Sequence, residues 1–134
     1  MTRKILIVDD NPDIIGLLRA SLRAAGYQTV EAMNGKIALR RVEEGRPDLI
    51  LLDLMMPVLD GWGVLDALGR QPDPPPVVVI TAAESPANEE RARGLGVAGY
   101  VTKPFDVGAL LDLVESVVGP PASGAGAAGS ARAV

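Results

Sequence analysis

The chain has 134 residues, a formal net charge of −4, and no cysteine or histidine. Without cysteine there is no disulfide framework, thiolate metal site or thiol catalysis. Without histidine the chain lacks the commonest general base and zinc ligand, and cannot itself carry phosphohistidine. Hydrophobic residues make up 48% of it, enough at this length for one domain with a real core. The acidic balance and the lack of a basic run leave no footprint for nucleic acid. Ile5 to Val8 is too short for a signal-peptide core and is closed by Asp9-Asp10. No apolar run approaches the roughly 20 residues of a membrane span. A cytoplasmic protein without membrane contact is expected.

Lys4 to Val8 reads as a strand buried on both faces. It ends on Asp9-Asp10-Asn11-Pro12, where Asn11 suits a helix cap and Pro12 the first turn. The first helix runs to about Ala25, with Ile14, Leu17, Leu18, Ser21 and Leu22 on one face. Ile15 falls off that stripe and is expected to be exposed. Gly26 stops the helix. Gln28 to Ala32 is a second strand, Asn34-Gly35 a turn, and Lys36 to Glu44 a second helix with Ile37, Ala38 and Val42 inward. Leu49 to Leu52 is a wholly apolar third strand that ends on Asp53.

The loop Leu54-Met55-Met56-Pro57-Val58-Leu59 leads to Asp60, a cap for a third helix running to about Arg70. Pro72 and Pro74 to Pro76 forbid a helix and lead into the strand Val77 to Thr81. Ser85 caps a polar fourth helix, with Pro86 in its first turn. Tyr100 to Thr102 is a short fifth strand, followed by Lys103-Pro104-Phe105. The fifth helix runs from near Asp106 to near Val118, with Leu110, Leu111, Leu113 and Val114 apolar. The domain is expected over residues 1–118. Residues 119–134, rich in Ala, Gly, Ser and Pro without periodicity, are expected to be a disordered tail or linker.

Strands alternating with helices imply an α/β fold, a parallel sheet with helices on both faces. Ligand chemistry in such sheets sits outside the carboxyl ends of the strands. Here those ends carry Asp9 and Asp10, Asp53, Thr81 and Lys103. Each has an ordinary reading alone. An Asp-Asp pair before a helix is commonly a solvated cap, Thr81 a structural residue, Lys103-Pro104 a strand exit and Met55-Met56 loop packing. Together they suit one chemistry. Clustered carboxylates repel unless a cation sits among them, and Mg²⁺ takes carboxylate, carbonyl and water oxygens. A hydroxyl and an ammonium suit phosphoryl oxygens. A carboxylate can be the nucleophile, giving an aspartyl phosphate.

Ile5-Leu6-Ile7-Val8-Asp9-Asp10, Asp53-Leu54-Met55-Met56-Pro57 with Asp60-Gly61, Thr81-Ala82 and Tyr100-Val101-Thr102-Lys103-Pro104-Phe105 resemble the receiver domains of two-component response regulators. The resemblance covers residues 3 to about 118. It implies a flavodoxin-like (βα)5 doubly wound fold with strand order 2-1-3-4-5. It implies Asp53 as phosphoacceptor. Asp9, Asp10, Asp53 and the main-chain carbonyl of Met55 would hold Mg²⁺, and Thr81 and Lys103 would bind phosphoryl oxygens. Tyr100 would be a switch residue moving with Thr81, and the Lys103–Pro104 bond is usually cis in the family. Ile15, Pro104 and Phe105 are candidate partner contacts.

The partners implied are a histidine kinase or histidine phosphotransfer protein and a downstream target. The target would be controlled through the surface of the fourth helix, fifth strand and fifth helix. The chain would accept a phosphoryl group and release it, with no other enzymatic activity. Met55 and Ala83 stand where the family often carries polar side chains that tune this release, and both are apolar here. The expected fifth helix has no lysine or arginine with which to bridge a second copy, so a monomer is expected. No DNA-binding or enzymatic domain follows residue 118, so the chain acts alone or is cut from a longer one. The other readings are a phosphate-independent interaction module and a Mg²⁺-dependent phosphohydrolase. The hydrolase is disfavoured because Met55 stands where such enzymes place a second acid.

Overall fold

Five parallel strands form the sheet in the order β2-β1-β3-β4-β5. The computed structural model describes residues 2–82 and 85–121. In chain order the elements are β1 (Lys4–Val8), α1 (Pro12–Ala24), β2 (Gln28–Ala32), α2 (Gly35–Glu44), β3 (Leu49–Leu52), α3 (Gly61–Gly69), β4 (Val77–Thr81), α4 (Pro86–Gly94), β5 (Gly99–Thr102) and α5 (Val107–Val118). This is the flavodoxin-like arrangement.

Two cores lie on the two faces of the sheet, because β1, β3 and β4 alternate their side chains between them. Leu6, Val8, Ile50, Leu52, Val77 and Val79 face α2, α3 and α4. Ile5, Ile7, Leu49, Leu51, Val78 and Ile80 face α1 and α5. Burial on both faces is why these strands read as continuous apolar runs.

Each helix starts on a side-chain cap. Asn11, Asn34, Asp60, Ser85 and Asp106 accept from the amides of Asp13, Ile37, Gly63, Asn88 and Ala109. Each cap satisfies an amide that the helix leaves orphaned. The caps lie just past the carboxyl ends of the strands, so all the helix N-termini and their dipoles gather at that edge.

The inward face of α1 differs from the expected stripe. Ile15 is 5% exposed, while Leu17 is 45% exposed. The buried residues are Ile15, Leu18 and Leu22. Leu18 and Leu22 belong to both stripes, so the sequence left the rotation of α1 about its axis open. Packing against Ile5, Ile7 and Leu51 settled it. Ile15 is therefore not a surface contact for a partner.

Gly119 to Pro121 remain attached to the domain. The Tyr27 hydroxyl donates to the Gly119 carbonyl at 3.0 Å. The Arg3 amide donates to the Pro121 carbonyl at 2.9 Å. Residues 122–134 of the expected tail lie outside the described residues.

The start of α3 is packed directly on the third strand's exit. A Cβ at Gly61 would stand 2.5 Å from the Asp53 carbonyl oxygen and 2.6 Å from Leu54 Cα. Both are backbone atoms, so the collision cannot be relieved by a rotamer change. Gly61→Ala is expected to destabilise the fold by about 1–3 kcal/mol, the usual cost of overpacking. Urea denaturation checks this. An unchanged midpoint would show that α3 can move away freely.

Candidate functional site

Strand register carries the polar groups to one edge. Val8 and Leu52 are partners across β1 and β3, so Asp9 and Asp53, the next residues, leave the sheet side by side. The Asp53 amide donates to the Val8 carbonyl at 3.0 Å, and the Asp9 amide to the Ala32 carbonyl at 3.1 Å. Thr81 ends β4 opposite Thr102. The Lys103 amide donates to the Thr81 carbonyl at 2.9 Å. The order reverses between β1 and β3, the place where open α/β sheets leave a crevice.

Lys103 reaches back across this edge. Its Nζ donates to Asp9 Oδ2 at 2.7 Å and to Asp53 Oδ2 at 3.3 Å. The other oxygens accept from main-chain amides: Asn11 to Asp9 Oδ1 at 2.8 Å, and Met55 to Asp53 Oδ1 at 3.2 Å. Asp9, Asp53 and Thr81 are buried, Lys103 is half-buried and Asp10 is exposed. One carboxylate oxygen each from Asp9, Asp10 and Asp53 lie within 4.8 Å of one another.

Charge is unbalanced here. Burial pushes the Asp9 carboxyl above its ordinary pKa and the nearby Asp53 charge adds to this, while the hydrogen bonds from Lys103 and the Asn11 amide offset it in part. Burial works against the Lys103 ammonium, but its bond to Asp9 and the charges of Asp53 and Asp9 outweigh that, and its pKa is raised. The two ends of one ion pair thus shift the same way, where a balanced pair would move apart. For Asp9 burial is the largest cause and outweighs what Lys103 and the Asn11 amide return, while the lysine gains from two nearby acids. A hard divalent cation there would add positive charge. The donor set is carboxylate oxygen with no thiolate or imidazole, which suits Mg²⁺, and exposed Asp10 gives a side open to water.

The structure thus brings together Asp9, Asp10, Asp53 and Lys103, with Thr81 on the adjoining strand. Met55 is 63% exposed, its side chain over the site's mouth while its amide faces inward. Tyr100 is half-buried and packed on the core beneath α2, α3 and α4. Pro104 is exposed, Phe105 packs on the core beneath α1 and α5, and the bond between Lys103 and Pro104 is cis. Ile15 is inside the fold, and Ala83 lies outside the described residues. Sequence reasoning missed the supporting amides of Asn11 and Met55, which no side-chain pattern signals. It also missed Trp62 and Asn88, which line a cleft of about 610 Å³ with Asp10 and Met55.

The family model for the response regulator receiver domain matches residues 5–115. The chain belongs to this family. It is 40% identical over 105 residues to the alkaline phosphatase synthesis transcriptional regulatory protein PhoP of Bacillus subtilis, covering 78% of this chain and 44% of that one. It is 35% identical over 121 residues to the polar-differentiation response regulator DivK of Brucella anthropi, covering 89% and 98%. Among solved structures it is similar to the receiver domain of a sensor histidine kinase of Pseudomonas aeruginosa, with a TM-score of 0.80, 30% identity and coverage of 89% and 99%. That neighbour holds a magnesium ion coordinated in its active site cleft. The chain spans about half the length of the PhoP relative and nearly all of DivK. It is a receiver domain of the two-component response regulators, a family of signalling modules. No helix among the described residues is long and apolar enough to cross a membrane.

The receiver domain's charge imbalance has a measurable consequence. With a folded pKa above the unfolded value near 3.8, Asp9 binds its proton more readily in the native state. Its ionisation therefore opposes folding, and stability is lost as pH rises from about that value through the folded pKa. Asp9→Asn, which leaves Lys103 its Asp53 partner, is expected to raise the melting temperature at neutral pH in magnesium-free buffer. The gain should vanish on acidification below the unfolded value. A lower melting temperature at neutral pH would mean that the Lys103 bond outweighs the cost of burying the charge.

Proposed function

We propose that Asp53 accepts a phosphoryl group from a histidine kinase or histidine phosphotransfer protein, and that the charge so added switches the domain. One observation carries this reading. The Asp53 carboxylate is buried at the sheet edge, tied at one oxygen to a main-chain amide and at the other to Lys103, beside two further carboxylates. A fixed, partly neutralised carboxylate is a positioned nucleophile, and positioning is most of what phosphoryl transfer asks of a protein.

Asp9, Asp10 and Asp53, with the Met55 carbonyl, are the groups that would hold Mg²⁺. Bound there, the ion would neutralise the phosphoryl oxygens. An Asp53 oxygen forms the new bond to phosphorus as the phosphorus–nitrogen bond of the donor's phosphohistidine breaks. The imidazole leaves with the electron pair and takes up a proton. Lys103, already within reach of Asp53, turns from Asp9 toward the added oxygens, and Thr81 contributes its hydroxyl. Hydrolysis runs by attack of water on phosphorus, with the Asp53 carboxylate as leaving group. The exposed Met55 side chain has no polar atom suited to orienting that water, which favours a long-lived phosphoform. No other enzymatic activity is assigned.

The product carries roughly two negative charges where one carboxylate stood. Arrangements that bring Thr81 and Lys103 closer to it are favoured, so the populations shift. Tyr100, half-buried between the core and α4, is positioned to move with Thr81. The surface of α4, β5 and α5 would carry the change to a downstream protein, with exposed Pro104 and neighbouring Phe105 meeting partners at the site's rim. A cytoplasmic location follows from such a donor.

Incubation with Mg²⁺ and acetyl phosphate, read by intact mass, tests the reading. One added phosphoryl group is expected on the native chain and none on Asp53→Asn. No adduct with the donor intact would favour a phosphate-independent interaction module. No adduct with the donor consumed would favour a phosphohydrolase.

A further inference from the structure

α4 is held to the domain by little. Ala92 is the one residue of this helix that is buried, whereas α3 buries Gly61, Val64, Leu65 and Leu68. Its ion pair, Arg93 with Glu89 at 3.0 Å, lies within the helix and ties it to nothing else. Among the described residues, Arg91 carries a side-chain contact out of α4 besides the packing of Ala92. Its guanidinium carbon lies 4.0 Å from the centre of the Trp62 ring, at the start of α3. Indole is the best ring for a cation–π contact, and arginine the more frequent cation in it. Trp62 is half-buried, packed on the core face that also receives Ala92 and Tyr100. It lines the cleft shared by Asp10, Met55 and Asn88.

We propose that Arg91 is a positioning residue that restrains phosphorylation through Trp62. This rests on the phosphoacceptor reading and extends it to control of the same site. The reasoning is thermodynamic. The clasp exists in the arrangement in which Lys103 is engaged by both Asp9 and Asp53, an arrangement that the proposed transfer would break as Lys103 turns to the added oxygens. Thr81 ends β4, and α4 begins at its Ser85 cap a few residues later. A shift of Thr81 toward a phosphoryl group carries the start of α4 with it, and α4 moving relative to α3 pulls Arg91 off the Trp62 face. A contact made in one state and lost in the other opposes the second state by its full strength. The clasp sets how readily the site accepts its charge without touching a reacting atom.

Fluoroberyllate with Mg²⁺, a mimic of the phosphoryl group, gives an equilibrium readout independent of any donor. Binding can be followed on Trp62, the chain's single tryptophan, or by calorimetry in the variants that lack it. Arg91→Gln is expected to bind fluoroberyllate about two- to fivefold more tightly than the native chain, the ratio an exposed cation–π contact supports. Arg91→Lys, which keeps a cation, should fall between the two. Trp62→Leu should match Arg91→Gln, and the double variant should gain nothing more, because both substitutions remove one contact. A merely destabilised helix would not give that non-additivity. Unchanged or weaker binding in Arg91→Gln, or full additivity in the double variant, overturns the clasp while leaving the phosphoacceptor reading in place. Failure of the native chain to bind fluoroberyllate overturns that reading, and the clasp with it.

Discussion

Lys103 holds two buried carboxylates at once, Asp9 at 2.7 Å and Asp53 at 3.3 Å. That sharing ties together parts of the chain that are distant in sequence, and it is possible only because the sheet is in register. β1, β3, β4 and β5 must end level for the three side chains to meet. Wholly apolar strands buried on both faces fix that register. A one-residue slip would exchange the two faces and send Asp9 or Asp53 into the core. The cost of gathering acids at this edge is offset locally, by one ammonium, two main-chain amides and the nearby helix N-termini. What remains is a cluster of acids with one ammonium among them, a place where a divalent cation would add the positive charge that an incoming phosphoryl group also needs.

The remainder of the fold can be read as support for that edge. α3 starts against the Asp53 carbonyl through Gly61, and the Leu59 carbonyl before it accepts from the Gly35 amide at the start of α2. Between them Val58 has a φ of 71°, and the Leu59 amide donates to the Pro57 carbonyl at 2.8 Å. This tight turn is strained for a β-branched residue. It reverses the loop after Asp53 toward the start of α3, while the Met55 amide makes its own local bond to the carboxylate. On the other side α4 is anchored lightly, with Ala92 its one buried residue. On the proposed function, the firmly packed side would hold the nucleophile and the lightly held side would respond to its charge.

Much of this was legible in the sequence, and the exceptions share a cause. The strands were legible because double burial writes itself as an uninterrupted apolar run ending on a polar residue. Asn11, Asp60 and Ser85 were legible as caps because a cap is a local signal. Asn34 and Asp106 cap as well, where the sequence marked only a turn and a helix start. The rotation of α1 was not legible, since Leu18 and Leu22 fit two stripes and the choice between Ile15 and Leu17 lies with the sheet beneath. The grip of Lys103 on Asp9 spans 94 residues. A sequence shows that a lysine ends a strand, but not which acid it holds. The contact of Arg91 with Trp62 joins two helices and has no local mark.

The most direct measurement is a Mg²⁺ titration of the isotopically labelled chain, followed at its backbone amides by NMR. The Asn11 and Met55 amides report the site, because they donate to the Asp9 and Asp53 carboxylates. Saturable shifts centred on these two amides, and lost in Asp10→Asn, are expected if the acid cluster is short of one divalent cation. Amides that stay still at the site while the chain remains folded would contradict that. Lys103 would then already balance the cluster, and the site would not be built to receive phosphate.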